Sequence, residues 1–150
     1  MSTPADEPRD TDPPADPQDA GSRRRRDAEL RDQLSRSSAL NESARAQVLV
    51  DDFVAQAVAK GILTERLVAR LMDGREVRTD KRGWYIRANR SVAVGEDGSY
   101  YVLTVPGGWR ERLRGVRLEA SPPPLVVGRG ARDGDSGDLS TFLAWRLAQG

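Results

Sequence analysis

The stretch GWYIRANRSVAVGEDGSYYVLTV, residues 83–105, decides the fold. Its large apolar side chains alternate or run in short series between turn-forming residues, a pattern typical of antiparallel strands joined by hairpins. Strands are predicted at Trp84–Arg87, Val92–Val94 and Tyr100–Val105. Asn89-Arg90 predicts the first turn, and Asp97-Gly98 is a strong signal for the second. Both faces of the last strand are apolar, so we expect a central strand that is covered on both sides.

Helical patterns lie on either side of these strands. Residues 42–60 place apolar side chains on one stripe of a helix, with Asn41 as predicted N-cap and Gly61 as predicted stop. The stripe consists of Leu49, Val50, Phe53, Val54, Ala57 and Val58. A second helix is predicted at about 138–148, capped by Asp138, and Arg146 is the polar exception in its apolar series.

Two segments remain open in the sequence. Residues 27–41 carry a weaker helical pattern, so that 27–60 is either one helix or two. Residues 64–72 suit a short helix or a buried strand, and the strand is favoured because such a helix would be shorter than average. Short strands are also predicted at Val116–Leu118 and Leu125–Val127, and one helical turn at Trp109–Leu113.

Strands grouped together with helices at both ends predict an α+β fold for residues 27–150. In it, a small antiparallel sheet, with strands within about 66–127, packs with an N-terminal-side helix and a C-terminal helix.

The first 26 residues differ in composition from the rest. Residues 1–22 set six acidic side chains against Arg9, a net charge of −5, and include five prolines. Such a segment cannot bury enough apolar surface to offset the entropy of ordering, so residues 1–26 are predicted to be a disordered tail. The tail ends in Arg23–Arg26, which either binds an acidic surface or nucleic acid or, as we favour, is a solvated helix start.

Composition excludes the commonest catalytic and metal chemistry. The chain contains neither histidine nor cysteine, which removes the usual general base, the thiolate nucleophile and the usual zinc ligands. We therefore expect no enzyme and no cofactor. No apolar run approaches the length of about 20 residues that spans a bilayer, and the N-terminal region lacks the order of a secretory signal. We expect a cytoplasmic protein without a membrane partner.

The glycine-rich segment Gly128–Gly137 is compared with two kinds of site, an anion-binding loop and a metal-binding loop. Arg129 and Arg132 in a glycine-rich loop before a helix are compatible with anion binding. The loop lacks the third glycine of a dinucleotide fingerprint, where Asp133 stands, and it lacks a Walker lysine. Asp133, Asp135 and Asp138 do not have the EF-hand spacing, because Gly137 occupies the third ligand position and no glutamate lies at the twelfth. A surface loop without metal or cofactor is therefore favoured.

A basic and aromatic segment, residues 81–117, raises the possibility of nucleic-acid binding. Eight cationic residues stand against three acidic ones, a net charge of +5. Cations interleaved with aromatic rings can follow a phosphate backbone and stack on bases. The possible nucleic-acid or anion contacts are Arg82, Arg87, Arg90, Arg110, Arg112, Arg114, Arg129 and Arg132. Against this, alternation places either Trp84 or Tyr85 in the core, and no known nucleic-acid motif is present.

Four runs carry a resemblance to known sequences: GWYIR (83–87), RSVAV (90–94), YYVLTVPGG (100–108) and PPPLVVGRGARDGDSGDL (122–139). In these runs the chain resembles uncharacterised small proteins of high-GC Gram-positive bacteria, over roughly residues 45–150. A count of 22 arginines to two lysines is typical of a GC-rich genome. The resemblance implies a bacterial origin and a shared fold, and implies no activity.

Two functions therefore remain. The favoured one is a non-catalytic protein-interaction or accessory module that docks an unknown protein partner through helix 42–60 or a sheet face. The alternative is a nucleic-acid-binding protein that uses residues 81–117.

Overall fold

The computed structural model describes residues 17–106, 114–129 and 136–150, with only the backbone at positions 17 and 18. The chain falls into two units, residues 1–38 and 39–150. The helices and strands are α1 (Pro17–Ala59), β1 (Glu65–Leu71), β2 (Glu76–Tyr85), β3 (Val92–Gly95), β4 (Tyr100–Val102), β5 (Thr104–Val105), β6 (Val126–Val127), β7 (Gly137–Asp138) and α2 (Leu139–Gln149). The predicted α+β class, with two helices and one main sheet, is confirmed.

Residues 17–38, the described part of the first unit, are the first half of α1. The predicted tail, residues 1–26, overlaps this helix at residues 17–26, and residues 1–16 lie outside the described part of the chain. Proline suits the first helical turn, because its missing N–H has no partner there. Residues 18–38 include six arginines, two alanines, two leucines and one glutamate, all of which favour helix. Asn41 consequently lies inside a continuous helix and is not an N-cap.

In the second unit, α1 buries one face and ends at a glycine. Ala46, Val50, Phe53 and Ala57 are at most 1 % exposed, whereas Val58 of the predicted stripe points outward. The N–H of Ile62 donates to the carbonyl of Ala57 at 2.9 Å, and that of Gly61 donates to Val58 at 3.0 Å. With Gly61 at φ 69°, these two bonds form a Schellman motif, which ends the helix.

The main sheet has the order β4-β3-β2-β1-β5. Its pairs are antiparallel except for β1 with β5, which is parallel, so the sheet is mixed where the sequence predicted an antiparallel one. The strands at the two ends of this order are successive parts of one segment, 100–105. Leu103 joins them, because its N–H donates to Ser91 at 2.9 Å and its carbonyl accepts from Arg70 at 2.7 Å. Residues 100–105, predicted as one strand, thus form β4 at one end of the sheet and β5 at the other.

Two hairpins and one tight turn connect the antiparallel strands. Residues 64–72, open in the sequence, contain β1, and the chain leads from there through Gly74, at φ 83°, into β2. Gly98, at φ 79°, turns β3 into β4, and the carboxylate of Asp97 accepts from the N–H of Ser99 at 3.0 Å. Between β2 and β3 the chain turns through Arg90, whose φ of 57° is rare for a residue with a side chain.

The sheet is buried on both faces. One face meets α1 and α2 in the helix-side core, where the ring of Trp84 stands edge-on to Phe53 with centroids 5.6 Å apart. The other face forms the far-side core, which consists of Leu67, Tyr85, Ala93, Tyr101, Leu103 and Leu118. Because successive side chains of a strand point to opposite faces, neighbouring aromatics fall into different cores. Both faces of the sheet are therefore covered, but the run 100–105 lies at the two ends of the strand order and Val102 is 44 % exposed, so the predicted central strand is wrong.

The C-terminal part closes the helix-side core. β6 and β7 pair, and α2 buries Leu139 and Leu143. Asp138 occupies the N-cap position, but its side chain makes no capping hydrogen bond. The N–H of Leu139 donates instead to the carbonyl of Leu125 at 2.8 Å, which satisfies one of the free N–H groups at the start of the helix. The helical turn predicted at 109–113 lies outside the described residues.

Neither helix, over the residues described, combines the length and the apolar character needed to cross a bilayer.

Candidate functional site

The arginines predicted as nucleic-acid contacts lie in different places. Arg87 and Arg90 belong to the turn after β2, and Arg114 begins the segment 114–121. Arg82 lies on β2 and donates to the carbonyl of Thr64 at 2.8 Å, and Arg129 is exposed in the turn after β6. The other three fall outside the described residues: Arg110, Arg112 and Arg132.

The aromatic residues of the same segment belong to the core. Trp84, Tyr85, Tyr100 and Tyr101 are only 2 to 6 % exposed, so their rings are not available to stack on bases. Trp109 lies outside the described residues. The basic and aromatic pattern of residues 81–117 therefore does not correspond to one accessible surface among the residues described.

A groove of about 1060 Å³ runs along the outer edge of β2. We call it the β2-edge groove, and its lining residues are Arg66, residues 76–80 and residues 114–117. Strand geometry shows which backbone groups face it. The carbonyl of Arg75 accepts from Leu71 of β1, whereas that of Arg78 accepts from Val116 at 3.1 Å on the opposite side. Since N–H and C=O groups alternate between the two edges of a strand, those of Glu76 and Arg78 face the groove.

The β2-edge groove carries an excess of positive charge. Arg66, Arg78, Arg114 and Arg117 are exposed in its walls. Its two carboxylates have cationic neighbours outside the lining: Glu76 lies 3.6 Å from Arg70, and Asp80 lies 3.5 Å from Lys81. The four arginines therefore dominate the field that a ligand in the groove meets.

Asp80 is also part of the wall. Partial burial opposes its ionisation, but the N–H of Leu118, which donates to its carboxylate at 2.9 Å, and the charge of Lys81 together hold the pKa of Asp80 below its usual value. Val116 is bonded to β2, and the N–H of Ser121 donates to Tyr100 at 2.8 Å. The segment 114–121 is thus anchored at three points and forms a defined wall.

A second, smaller cleft of about 450 Å³ lies beside α2. We call it the α2 cleft, and its lining residues are Glu65, Tyr85, Arg87, Ala88, Arg90, Trp145, Arg146, Gln149 and Gly150. It brings together two predicted contacts with two residues that sequence reasoning did not select, Trp145 and Arg146. The signal that could have found them is Arg146 itself, a cation within the apolar series of α2.

The arginines of the α2 cleft are held by their neighbours. Arg87 is only 6 % exposed, donates to the hydroxyl of Ser91 at 3.1 Å and lies 5.5 Å from the ring centroid of Phe142. The guanidinium of Arg90 lies 4.2 Å from the ring centroid of Tyr85 and 3.3 Å from Glu65. Partial burial lowers the pKa of Arg90, but interactions with the Tyr85 hydroxyl and with Glu65 outweigh it and raise that pKa above its usual value.

No three histidine, cysteine, aspartate or glutamate residues lie close enough to share a metal ion within the described ranges. Of the three aspartates considered from the sequence, Asp138 is described, and Asp133 and Asp135 are not.

Comparison with protein-family models, with curated proteins and with solved structures finds no match. The two grooves are therefore the basis for assigning a function.

Proposed function

We propose that the protein is a non-catalytic interaction module, acting in the cytoplasm, that binds an acidic, extended segment of a partner protein along the β2-edge groove. The observation that carries this proposal is a strand edge facing an arginine-lined groove. Glu76 presents its backbone N–H and C=O groups there and Arg78 presents its N–H, because the carbonyl of Arg78 already accepts from Val116. Four arginines line the same groove. An exposed strand edge accepts an added strand, with backbone bonds giving affinity and side chains giving specificity.

An added strand would present alternate side chains to the groove. A strand rises about 3.3 Å per residue, so alternate side chains on one face of the added strand stand about 6.6 Å apart. Carboxylates on that face would pair with the arginines of the walls, whose planar donor groups suit carboxylates. The long-range field of the same arginines also raises the rate of encounter with an acidic segment.

A nucleic acid is the less suitable ligand for this groove. Phosphate oxygens only accept hydrogen bonds. They can therefore pair with the N–H groups of the β2 edge, but not with the carbonyl of Glu76 at the same edge. A peptide backbone supplies both donors and acceptors. The aromatic rings of β2 and β4 that would stack on bases are buried. These two features favour a protein partner.

The test uses a synthetic octapeptide that alternates glutamate and valine, labelled for fluorescence anisotropy at low salt. We expect saturable binding, and loss of most of it when every second backbone amide of the peptide is methylated, because methylation removes the donors of an added strand. The double variant Arg114→Glu/Arg117→Glu should weaken binding by about tenfold or more, given the size of charge-pair effects at interfaces. Arg129→Glu is the matched control, since Arg129 is exposed but does not line the groove.

Three results with the peptide would contradict the proposal. The peptide does not bind, the methylated peptide binds equally well, or Arg129→Glu weakens binding as much as the double variant does. A single-stranded DNA of equal charge is run in parallel. If it binds in the groove more tightly than the peptide, the ligand is a nucleic acid and the protein-partner proposal is wrong.

A further inference from the structure

The exposed indole of Trp145 is the starting point for a second site. Leu139 and Leu143 of the same helix are buried, whereas Trp145 is 40 % exposed and lines the α2 cleft. A large aromatic side chain left open beside a cleft offers a flat surface on which another ring can stack.

The charge of the α2 cleft favours an anion. Arg87, Arg90 and Arg146 line it, and its one acidic side chain, Glu65, is already within 3.3 Å of Arg90. The cleft lies at the C-terminal end of α2, where the helix dipole favours cations and stabilises Arg146. The side chains that line the cleft therefore carry a net positive charge, although the C-terminal end of the helix dipole is negative.

The arginines are also held in position before any ligand binds. Arg87 is buried and bonded to Ser91, and the hydroxyl of Ser91 donates to Asn89 at 2.7 Å. Arg90 takes up the left-handed conformation, which costs energy for a residue with a side chain, and its guanidinium covers the ring of Tyr85. Strained backbone of this kind is concentrated at binding sites. Groups fixed in advance lose less entropy on binding.

We infer that the α2 cleft binds a nucleotide, with the base stacked on Trp145 and the phosphate held by Arg90 and Arg146. The volume of about 450 Å³ lies within the range of small-molecule sites. The nucleotide is either free or one unit of a single strand, because both present the same base and phosphate. This site is separate from the β2-edge groove, and the inference does not depend on the proposed function.

The experiment is a calorimetric titration of the full chain with adenosine monophosphate at low salt. Adenosine, inorganic phosphate and an oligoadenylate of eight units are titrated in parallel. We expect the monophosphate to bind at one site, and adenosine and phosphate alone to bind at least about tenfold more weakly, because each has lost one of two contacts. Tighter binding of the oligoadenylate would identify a single strand as the ligand, and equal binding a free nucleotide.

Variants locate the site. Trp145→Ala should weaken binding by about tenfold or more, as loss of one base-stacking ring does, and Trp145→Phe should retain part of the affinity. Arg146→Ala should weaken binding several-fold, and Arg146→Lys should restore part of it. Arg129→Ala is the control outside the cleft, and thermal unfolding of each variant checks that it is folded.

Two outcomes would overturn the inference. In the first, neither the monophosphate nor the oligoadenylate binds saturably. In the second, binding is the same in folded Trp145→Ala and Trp145→Phe as in the parent chain, which would place the ligand elsewhere.

Discussion

The side-chain carboxylate of Asp80 accepts a hydrogen bond from the backbone N–H of Leu118 at 2.9 Å. This bond joins β2 to a segment far along the chain. Next to it, the carbonyl of Val116 accepts from the N–H of Asp80 at 3.2 Å, and the side chain of Leu118 fills the far-side core. One carboxylate therefore helps both to cover the sheet and to hold the wall of the β2-edge groove.

Removal of this carboxylate should loosen the wall. Asp80→Ala is expected to lower the free energy of unfolding by about 1 kcal/mol, less than is usual for a bond to a charged group, because the side chain is 40 % exposed. Amide hydrogen exchange at Val116 and Leu118 should become faster, which nuclear magnetic resonance measures. Asp80→Asn keeps an acceptor and should have a smaller effect. Unchanged exchange at both amides in Asp80→Ala would show that the segment is held by other contacts.

Trp84 should be among the most sensitive core positions. Its indole N–H donates to the carbonyl of Ile62 at 3.0 Å, and the residue is 2 % exposed. Trp84→Phe leaves that buried carbonyl without its donor and leaves a small cavity, so we expect a loss of about 3 kcal/mol in urea unfolding. Trp145→Phe, the same change at an exposed position, should shift stability by less than about 0.5 kcal/mol. Similar losses in the two variants would contradict the assignment of Trp84 to the core.

Gly83 allows β2 and β3 to approach each other. A Cβ at this position would collide with the carbonyl oxygen of Val94 and lie 2.8 Å from the Cα of Gly95. Both obstacles are backbone, so Gly83→Ala should cost about 2–3 kcal/mol or more in urea unfolding. Gly21→Ala is the control, because Gly21 lies in α1 with open space around it. That change should raise helix content, since alanine favours helix by about 1 kcal/mol over glycine. An unaffected Gly83→Ala variant would show that the strands are not in this register.

Tyr100 should make the fold sensitive to alkaline pH. Burial raises the pKa of its hydroxyl from 10.0 to about 12, although the nearby charge of Arg87 acts in the opposite direction. Below pH 10 the hydroxyl is neutral in both folded and unfolded chains, so its contribution to stability is fully present. As the pH rises from 10 towards 12, the unfolded chain ionises first, and about 2–3 kcal/mol should be lost, since each pKa unit corresponds to 1.36 kcal/mol.

The measurement is urea unfolding from pH 8 to 12. Tyr100→Phe removes the ionisable hydroxyl, so its stability should fall less steeply above pH 10 than that of the parent chain. Tyr101→Phe serves for comparison, since burial and the adjacent Asp97 also raise the pKa of Tyr101. Parallel curves for Tyr100→Phe and the parent chain would mean that Tyr100 ionises normally in the folded state.

Local patterns were sufficient for several elements. The alternation around Trp84 predicted a strand, Asp97-Gly98 predicted a hairpin, and the apolar series after residue 138 predicted α2. Each depends on side-chain direction or on glycine backbone freedom within a few residues. The start of α1 was missed, because the acidic and proline-rich composition before it was extended too far, over residues with good helix propensity. The arginines were recognised as a basic segment, but their partition between two clefts was not predicted.

The sequence by itself determined where apolar and polar residues alternate along a strand, where turns occur, and that the chain has neither imidazole nor thiol. Only the tertiary structure decided that Leu103 joins the two ends of the sheet and that Trp145 and Arg90 line one cleft. The physical reason is that these contacts join residues far apart in the chain. Their meeting depends on strand register and on packing, which no local period of apolar residues specifies.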